Sequence, residues 1–264
     1  MRGIASIYGY CKRRKIPFYL YHTYPFKMEN YLCPNCYDWI IKEEQISYNP
    51  EEAYPVILQL KSLPSKLHRL YLDRIVSKYP NRQIHIYTNT LFDDKMYAVN
   101  FGELFKPVER LQAEVNRHIE RIGTDYVAMV FRFQQLLGDF KEDGFPTLDL
   151  PERERLIEKC IEEVERIRSE RHQDCKVLVT SDSTGFLERI KAKKEYVEII
   201  PGRVVHVDFS EDCTYDVYLK SFVDMFVLSK AMKVYMLYTE QMYRSGFGKR
   251  AAAITGIPYE EIHF

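Results

Sequence analysis

Val177-Leu178-Val179-Thr180-Ser181-Asp182-Ser183-Thr184 is an apolar run that breaks into small polar residues and continues as Gly185-Phe186-Leu187. A short apolar run closed by capping residues reads as a buried strand feeding a helix. Corners of this kind lie at the carboxyl edge of a parallel sheet, where α/β folds present phosphate-binding groups. Two other segments share the pattern. Val127-Ala128-Met129-Val130-Phe131-Arg132-Phe133 carries an arginine near the end of an apolar run. Tyr243-Arg244-Ser245-Gly246-Phe247-Gly248-Lys249-Arg250-Ala251-Ala252 follows the strand-like Val234-Tyr235-Met236-Leu237-Tyr238.

Outward from these corners the second half keeps an alternating rhythm. Strand 127–133 leads through a loop, 134–150, to a long helix that opens at Pro151 and carries Leu156, Ile157, Cys160, Ile161, Val164 and Ile167 as its apolar stripe. Asp149 and the Pro/Glu-rich first turn are start signals. Strand 177–180, helix 184–194, a short strand at Val204-Val205-His206-Val207, helix 216–231, strand 234–238 and helix 247–255 follow. Strands alternating with helices predict a doubly wound parallel sheet.

The first half is less regular. A helix over 2–14 runs into Pro17-Phe18-Tyr19-Leu20-Tyr21, an aromatic strand ending at His22-Thr23. A helix over 64–78 places Leu67, Leu70, Tyr71, Ile75 and Val76 on one face, and strand Ile84-His85-Ile86-Tyr87-Thr88 follows it. Residues 101–122 read as one helix bridging two halves, with Leu104, Val108, Leu111, Val115 and Ile119 at helical spacing. The expectation is two α/β domains, 1–122 and 123–264.

Composition sets the bounds. A chain of 264 residues buries a substantial core as one large domain or two smaller ones. With 38 acidic and 38 basic residues the net charge is zero, which argues against nucleic acid or an anionic membrane as a partner. The six cysteines are scattered, and Cys33-Pro34-Asn35-Cys36 has no second pair at zinc-like spacing, so the pattern favours neither a metal centre nor a disulfide scaffold. No apolar run approaches the roughly 20 residues that cross a bilayer, and no secretory signal opens the chain. These features lead to the expectation of a soluble, cytoplasmic protein.

Each corner has two readings. Arg132 at a strand end is placed to grip a diphosphate, or it is an edge residue paired with Asp139 or Glu142. Asp182, Ser183 and Thr184, with the first amides of a helix, can cradle phosphate or ribose, or they are an ordinary N-cap. Ser245-Gly246-Phe247-Gly248 lets the backbone approach a ligand beside Lys249 and Arg250, or it is a simple turn. None of these segments matches GxGxxG or a GxxxxGK[ST] loop, which removes support for nicotinamide and ATP chemistry.

In combination and order, Phe131-Arg132 with Leu136-Leu137-Gly138-Asp139-Phe140-Lys141-Glu142, then Val179-Thr180-Ser181-Asp182-Ser183, then Ser245-Gly246-Phe247-Gly248-Lys249-Arg250-Ala251-Ala252, resemble GDP-fucose-dependent fucosyltransferases, the group of nodulation and protein O-fucosyltransferases. The resemblance covers most of the chain. It implies a GT-B-like fold, two Rossmann-like doubly wound domains with parallel sheets facing a cleft, the first on the acceptor side and the second binding the nucleotide sugar. In that family a His-x-Arg motif supplies the arginine that holds the donor diphosphate. Here Arg132 keeps that position and Val130 replaces the histidine. The family's Ser-x-Phe motif carries over to Ser245 and Phe247, and Asp182 matches the acidic residue that serves the nucleoside. Family members open with a strand and a Gly-rich loop before their first helix. Met1-Arg2-Gly3-Ile4-Ala5-Ser6 reads as the helix just after such a loop, so the expectation is that this strand and loop are missing, with a compact variant as the alternative.

The resemblance implies an inverting hexosyltransferase without a cofactor or metal, moving fucose from GDP-fucose to a glycan or glycolipid acceptor. Arg132, Lys249 and the amides around Gly246 would stabilise the departing diphosphate. Asp139 or Glu142 would be the general base, each with surface charge as its other reading, and His22 would line the acceptor side or serve a structural role. Two alternatives remain: a different nucleotide-sugar donor, or an inactive relative that binds nucleotide, glycan or a partner protein.

Overall fold

The computed structural model of the chain describes residues 1–59, 64–139, 146–202 and 215–264. The chain forms two compact units, one of Met1–Thr23 and Leu32–Lys106, the other of Tyr24–Tyr31 and Pro107–Phe264. The division at Lys106 falls earlier than the 122/123 boundary expected from the sequence.

In the first unit, helix α1 (Arg2–Arg14) ends where Lys15 turns left-handed at φ 56°. A short strand β1 (Leu32–Pro34) pairs with β4 (Phe105–Pro107), and β2 (Ala53–Ile57) runs parallel to β3 (Gln83–Tyr87) on either side of helix α2 (Ser65–Lys78). Packing of α1 is close: a Cβ on Gly3 would stand 2.2 Å from the Thr88 carbonyl oxygen, so only glycine fits there. Trp39 is wholly buried and donates its indole N–H to the Leu104 carbonyl at 2.7 Å.

Three expectations for this unit need correction. The aromatic strand around 17–21 is reduced to a single bridge between Leu20 and Ile40. Of the expected stripe helix α2 buries Ile75, together with His68 and Leu72, and leaves Leu67, Leu70 and Tyr71 exposed. His68 has its ring stacked on Phe92 at 5.4 Å, which explains how a histidine displaces leucines from the buried face. The expected helix over 101–122 is broken into α3 (Tyr97–Leu104) and α4 (Glu109–Ile122), with β4 between them. Pro107 accounts for the break, because proline supplies no N–H and crowds a preceding helical turn.

The second unit holds an all-parallel five-stranded sheet in the order β7-β6-β5-β8-β9. Its strands are β5 (Tyr126–Val130), β6 (Lys176–Thr180), β7 (Val197–Glu198), β8 (Val234–Tyr238) and β9 (Tyr259–His263). Helices α5 (Leu150–Arg171), α6 (Thr184–Lys193), α7 (Tyr215–Leu228) and α8 (Phe247–Thr255) connect them. Every residue of β5 is buried, as expected for a central parallel strand covered on both faces. One face packs Val127, Met129, Val177, Val179, Tyr235 and Leu237 against the α5 stripe, which is buried as read. Asp149 caps α5 by accepting the Glu152 amide at 2.8 Å, and Glu152 returns the bond in a capping box.

Strand β9 and the two-residue β7 were not expected from the sequence. The Val204–Val207 strand lies outside the described residues. In the same unit Lys220 and Asp224 form a buried ion pair at 2.8 Å along α7, and Tyr31, Tyr215 and Phe222 stack in parallel, Tyr31 to Phe222 at 4.4 Å and Tyr31 to Tyr215 at 4.8 Å. No helix among the described residues is long and apolar enough to cross a membrane.

Candidate functional site

The order β7-β6-β5-β8-β9 reverses its winding at β5, and in open parallel sheets such a switch point leaves a crevice at the carboxyl ends of the strands. The three segments singled out in the sequence follow the three strands that meet there. Phe131 donates its amide to the Thr180 carbonyl at 2.9 Å, and Tyr243 donates to the Arg132 carbonyl at 3.1 Å, which ties the corners after β5, β6 and β8 together.

Arg132 stands two residues beyond the end of β5, with its side chain 20% exposed, and its Nε lies 3.2 Å from Asp182 Oδ2. The Asp182 side chain is 1% exposed. Its Oδ1 accepts the Phe133 amide at 2.8 Å and its Oδ2 the Gln134 amide at 2.7 Å. Gln134 has φ +54°, a left-handed conformation rare outside glycine, and it lets two successive N–H groups converge on one anion. Burial pushes the Asp182 carboxyl above the usual carboxylate range, against the opposing pull of Arg132 and the backbone amides.

The corner after β6 is a capped helix start. Ser183 is buried and its Oγ accepts the Phe186 amide at 3.1 Å, while Thr184 is the first residue of α6. Asp139, from the loop after β5, reaches this helix start: its Oδ2 accepts the Ser183 hydroxyl at 2.8 Å and the Gly185 amide at 3.0 Å. The carboxylate therefore occupies the place at the α6 N-terminus that an anionic ligand would take, as the helix dipole favours. Among the described residues Asp139 meets the helix start, and Arg132 meets Asp182.

The corner after β8 is more open. Ser245 Oγ accepts the Phe247 amide at 3.2 Å, and Gly246 is the N-cap of α8 with no side-chain cap. Gly246 has φ −81°, which any residue adopts, and a Cβ placed on it would meet only Arg250 Nη2 at 3.8 Å. Neither backbone conformation nor packing requires glycine there. Gly248 differs, because a Cβ would stand 3.0 Å from Val130 Cγ2 and 3.1 Å from Val234 Cγ1, so it lets α8 lie close on the sheet. Lys249 is exposed, Phe247 half-buried. Val130 is 3% exposed under this helix, so its position is sealed in apolar packing.

Arg132, Asp139, Asp182, Ser183 and Thr184 are thus brought together between β5 and β6, and Ser245, Gly246, Phe247 and Lys249 gather at the adjoining corner. His22 belongs to the first unit. Glu142 lies outside the described residues. The sequence reading missed two features of the same edge. Thr180 Oγ1, at the end of β6, and Thr239 Oγ1, just past β8, are buried hydroxyls without a hydrogen-bond partner among the described residues. The positive φ of Gln134 was also not foreseen; no glycine or asparagine marks it. No group of three or more His, Cys, Asp or Glu with metal-binding geometry occurs among the described residues.

No protein-family model matches the sequence, and no curated protein matches it. Solved structures of the same fold do exist. A NodZ alpha-1,6-fucosyltransferase soaked with GDP-fucose is 12% identical, with a TM-score of 0.58, over 95% of this chain and 86% of that one. Fucosyltransferase NodZ from Bradyrhizobium gives 12% identity and a TM-score of 0.59 over 94% of this chain and 86% of that one. POFUT1 in complex with GDP gives 12% identity and a TM-score of 0.54 over 99% of this chain and 94% of that one. At such low identity the likeness establishes a mixed α/β fold with parallel sheets like those of these proteins.

Proposed function

We propose that the chain is a glycosyltransferase that binds GDP-fucose and transfers fucose to a glycan-type acceptor. The observation that carries this reading is the convergence of Arg132 and the Ser245-Gly246 helix start at the switch point of the parallel sheet. That structures of the same fold hold GDP and GDP-fucose supports it. Glycine at position 246, which nothing within the protein demands, fits a backbone that must let a phosphate come close. In the GT-B arrangement we read the second unit as the donor domain and the first, with His22, as the acceptor side.

Transfer would proceed with inversion: an acceptor hydroxyl attacks the anomeric carbon, the bond to the β-phosphate oxygen breaks, and GDP leaves. Negative charge then grows on the β-phosphate. Arg132 offers bidentate, charge-assisted hydrogen bonds to it, and the first amides of α8, lacking intrahelical acceptors, offer partial positive charge from the other side. Lys249 adds a further cation one turn into that helix. These groups do the work a metal does in other transferases, so we read the reaction as metal-independent and without a cofactor. The acceptor proton would go to Asp139, through the oxygen not held by Ser183 and Gly185, or to Glu142 farther along the same loop.

A second reading is favoured by a specific observation. Asp139 Oδ2 is already engaged at the α6 N-terminus, and Val130 puts an apolar packed side chain where the fucosyltransferases carry histidine. A protein with these features would bind a nucleotide sugar, GDP-fucose or another, with little turnover. Calorimetric titration with GDP, GDP-fucose, UDP and ADP in the presence of a chelator tests both. Selective guanine-nucleotide binding that survives chelation supports the fucosyltransferase reading, and an acceptor screen then separates transfer from binding alone. Binding of UDP or ADP in preference to GDP would sink the fucose assignment, and no binding by the folded chain would sink the nucleotide-sugar reading altogether.

A further inference from the structure

A carboxylate offers about four acceptor positions. Those of Asp182 are accounted for within the protein. Oδ1 accepts the Phe133 amide at 2.8 Å and faces the Ser181 hydroxyl at 3.4 Å, while Oδ2 accepts the Gln134 amide at 2.7 Å and meets Arg132 Nε at 3.2 Å. With its side chain 1% exposed, Asp182 has little surface to offer a nucleoside. What it does hold is the turn that carries Arg132. The amide of Phe133, directly after Arg132, and that of Gln134, in its left-handed conformation, are both fixed on this carboxylate, and the Arg132 carbonyl is fixed from the other side by the Tyr243 amide at 3.1 Å.

We infer that Asp182 is a positioning residue: it acts on the donor diphosphate through Arg132, orienting the guanidinium edge and the backbone beneath it, and does not itself contact the nucleoside. This rests on the functional reading above, in that a diphosphate is the group Arg132 receives. This role differs from the nucleoside contact that the family resemblance implies for Asp182. The left-handed Gln134 is part of the same device, because a non-glycine residue costs about 1 kcal/mol or more in that conformation and persists only where surrounding bonds impose it.

The test compares ligands that separate the two roles. Inorganic pyrophosphate and GDP contain the group that Arg132 would hold, whereas guanosine contains only the nucleoside. In Asp182→Asn, an isosteric change that turns an acceptor oxygen into a donor NH2, GDP and pyrophosphate should bind roughly ten- to a hundredfold more weakly, the loss of one or two charge-assisted bonds. Guanosine affinity should not change. In an Arg132→Ala background the same substitution should have no further effect on GDP, since its influence passes through the arginine. A second readout needs no variant. If Asp182 stays on the turn, the Phe133 and Gln134 amides keep their hydrogen-exchange protection when GDP binds the wild-type protein. Loss of that protection on GDP binding, equal weakening of guanosine and GDP by Asp182→Asn, or additive effects of the two substitutions would overturn the inference and leave the functional reading standing. Failure of the folded wild-type protein to bind GDP or pyrophosphate would overturn both.

Discussion

Replacing Arg132 with alanine separates the two things this side chain does. Towards a ligand it would supply two charge-assisted hydrogen bonds at about 1.5 to 3 kcal/mol each. Their loss, about 3 to 6 kcal/mol together, weakens GDP roughly a hundred- to ten-thousandfold. Towards the protein, the guanidinium is the cation beside Asp182, whose side chain is 1% exposed. Removing one partner of a buried pair costs about 3 to 5 kcal/mol, but Asp182 keeps the amides of Phe133 and Gln134. The stability loss should therefore be smaller, about 1 to 3 kcal/mol. It should also depend on pH with a definite sign. Burial already holds the Asp182 carboxyl above the usual range, and losing Arg132 raises it further, so a given acidification protonates Asp182 more readily in the variant than in the wild type. A protonated carboxyl has little need of the guanidinium, so the stability gap between variant and wild type is full at neutral pH and closes as the pH falls through the Asp182 titration. Urea unfolding at a series of pH values reads the second effect, and calorimetric GDP titration of the folded variant reads the first. A GDP affinity within threefold of the wild type would refute the placement of the diphosphate on Arg132, and a stability gap that widens on acidification would refute the pairing with Asp182.

Other expectations follow from buried charge elsewhere in the second unit. Asp224→Ala strands the Lys220 ammonium, whose side chain is 3% exposed, and should cost about 3 to 5 kcal/mol in urea unfolding, whereas Lys220→Met with Asp224→Leu should lie within about 1 kcal/mol of the wild type or above it. His118 is buried in α4 and its imidazole is pulled down to about 4, first by burial and then by Arg117 and Arg121. Because the unfolded state binds the proton more tightly, stability should be complete above about pH 6.5, the ordinary histidine value, and fall as the pH drops from there towards 4; His118→Gln should flatten that limb, and an unchanged pH profile in the variant would show that His118 is not its source.

Legibility in the sequence followed burial. Helix α5 was readable because its stripe, Leu156 to Ile167, faces one sheet along its whole length and because Asp149 and Glu152 cap it locally. The corners after β5, β6 and β8 were readable because each joins an apolar central strand to small polar residues. Strand β9 was not, because an edge strand is specified by what lies beside it. Tyr259-Glu260-Glu261-Ile262-His263 looks too charged for a strand, but Glu260 is met by Lys233 at 2.6 Å and Arg171 at 3.0 Å, and Glu261 by Arg244. Those partners lie 17 or more positions away in the chain, where periodicity cannot see them. The broken helix at 105–107 was legible in principle, since Pro107 was present to be weighed against the apolar spacing around it.

The candidate site shows the same limit from the other direction. Residue types were sufficient to gather Arg132, Asp139, Asp182 and Ser245 as one set, because each lies in a segment that follows a strand of the same sheet. They were not sufficient to divide the roles among them, because a carboxylate's role depends on how many of its lone pairs the protein has already used. Asp182 and Asp139 are of one residue type, each in a segment that follows an apolar strand of the same sheet. In the fold they form a reciprocal clasp: Asp182, from the corner after β6, holds the backbone of 133 and 134, and Asp139, from the loop after β5, holds Ser183 and Gly185. The two loops that would face the donor are thereby fixed to each other rather than to a ligand, and Asp182, buried and filled, is the rigid half. Asp139 is exposed and holds Ser183 and Gly185 through Oδ2, so it is the half that stays within reach of a ligand. Within one clasp, then, Asp182 is suited to hold Arg132 in place before any ligand arrives, and Asp139 to respond once the ligand has bound.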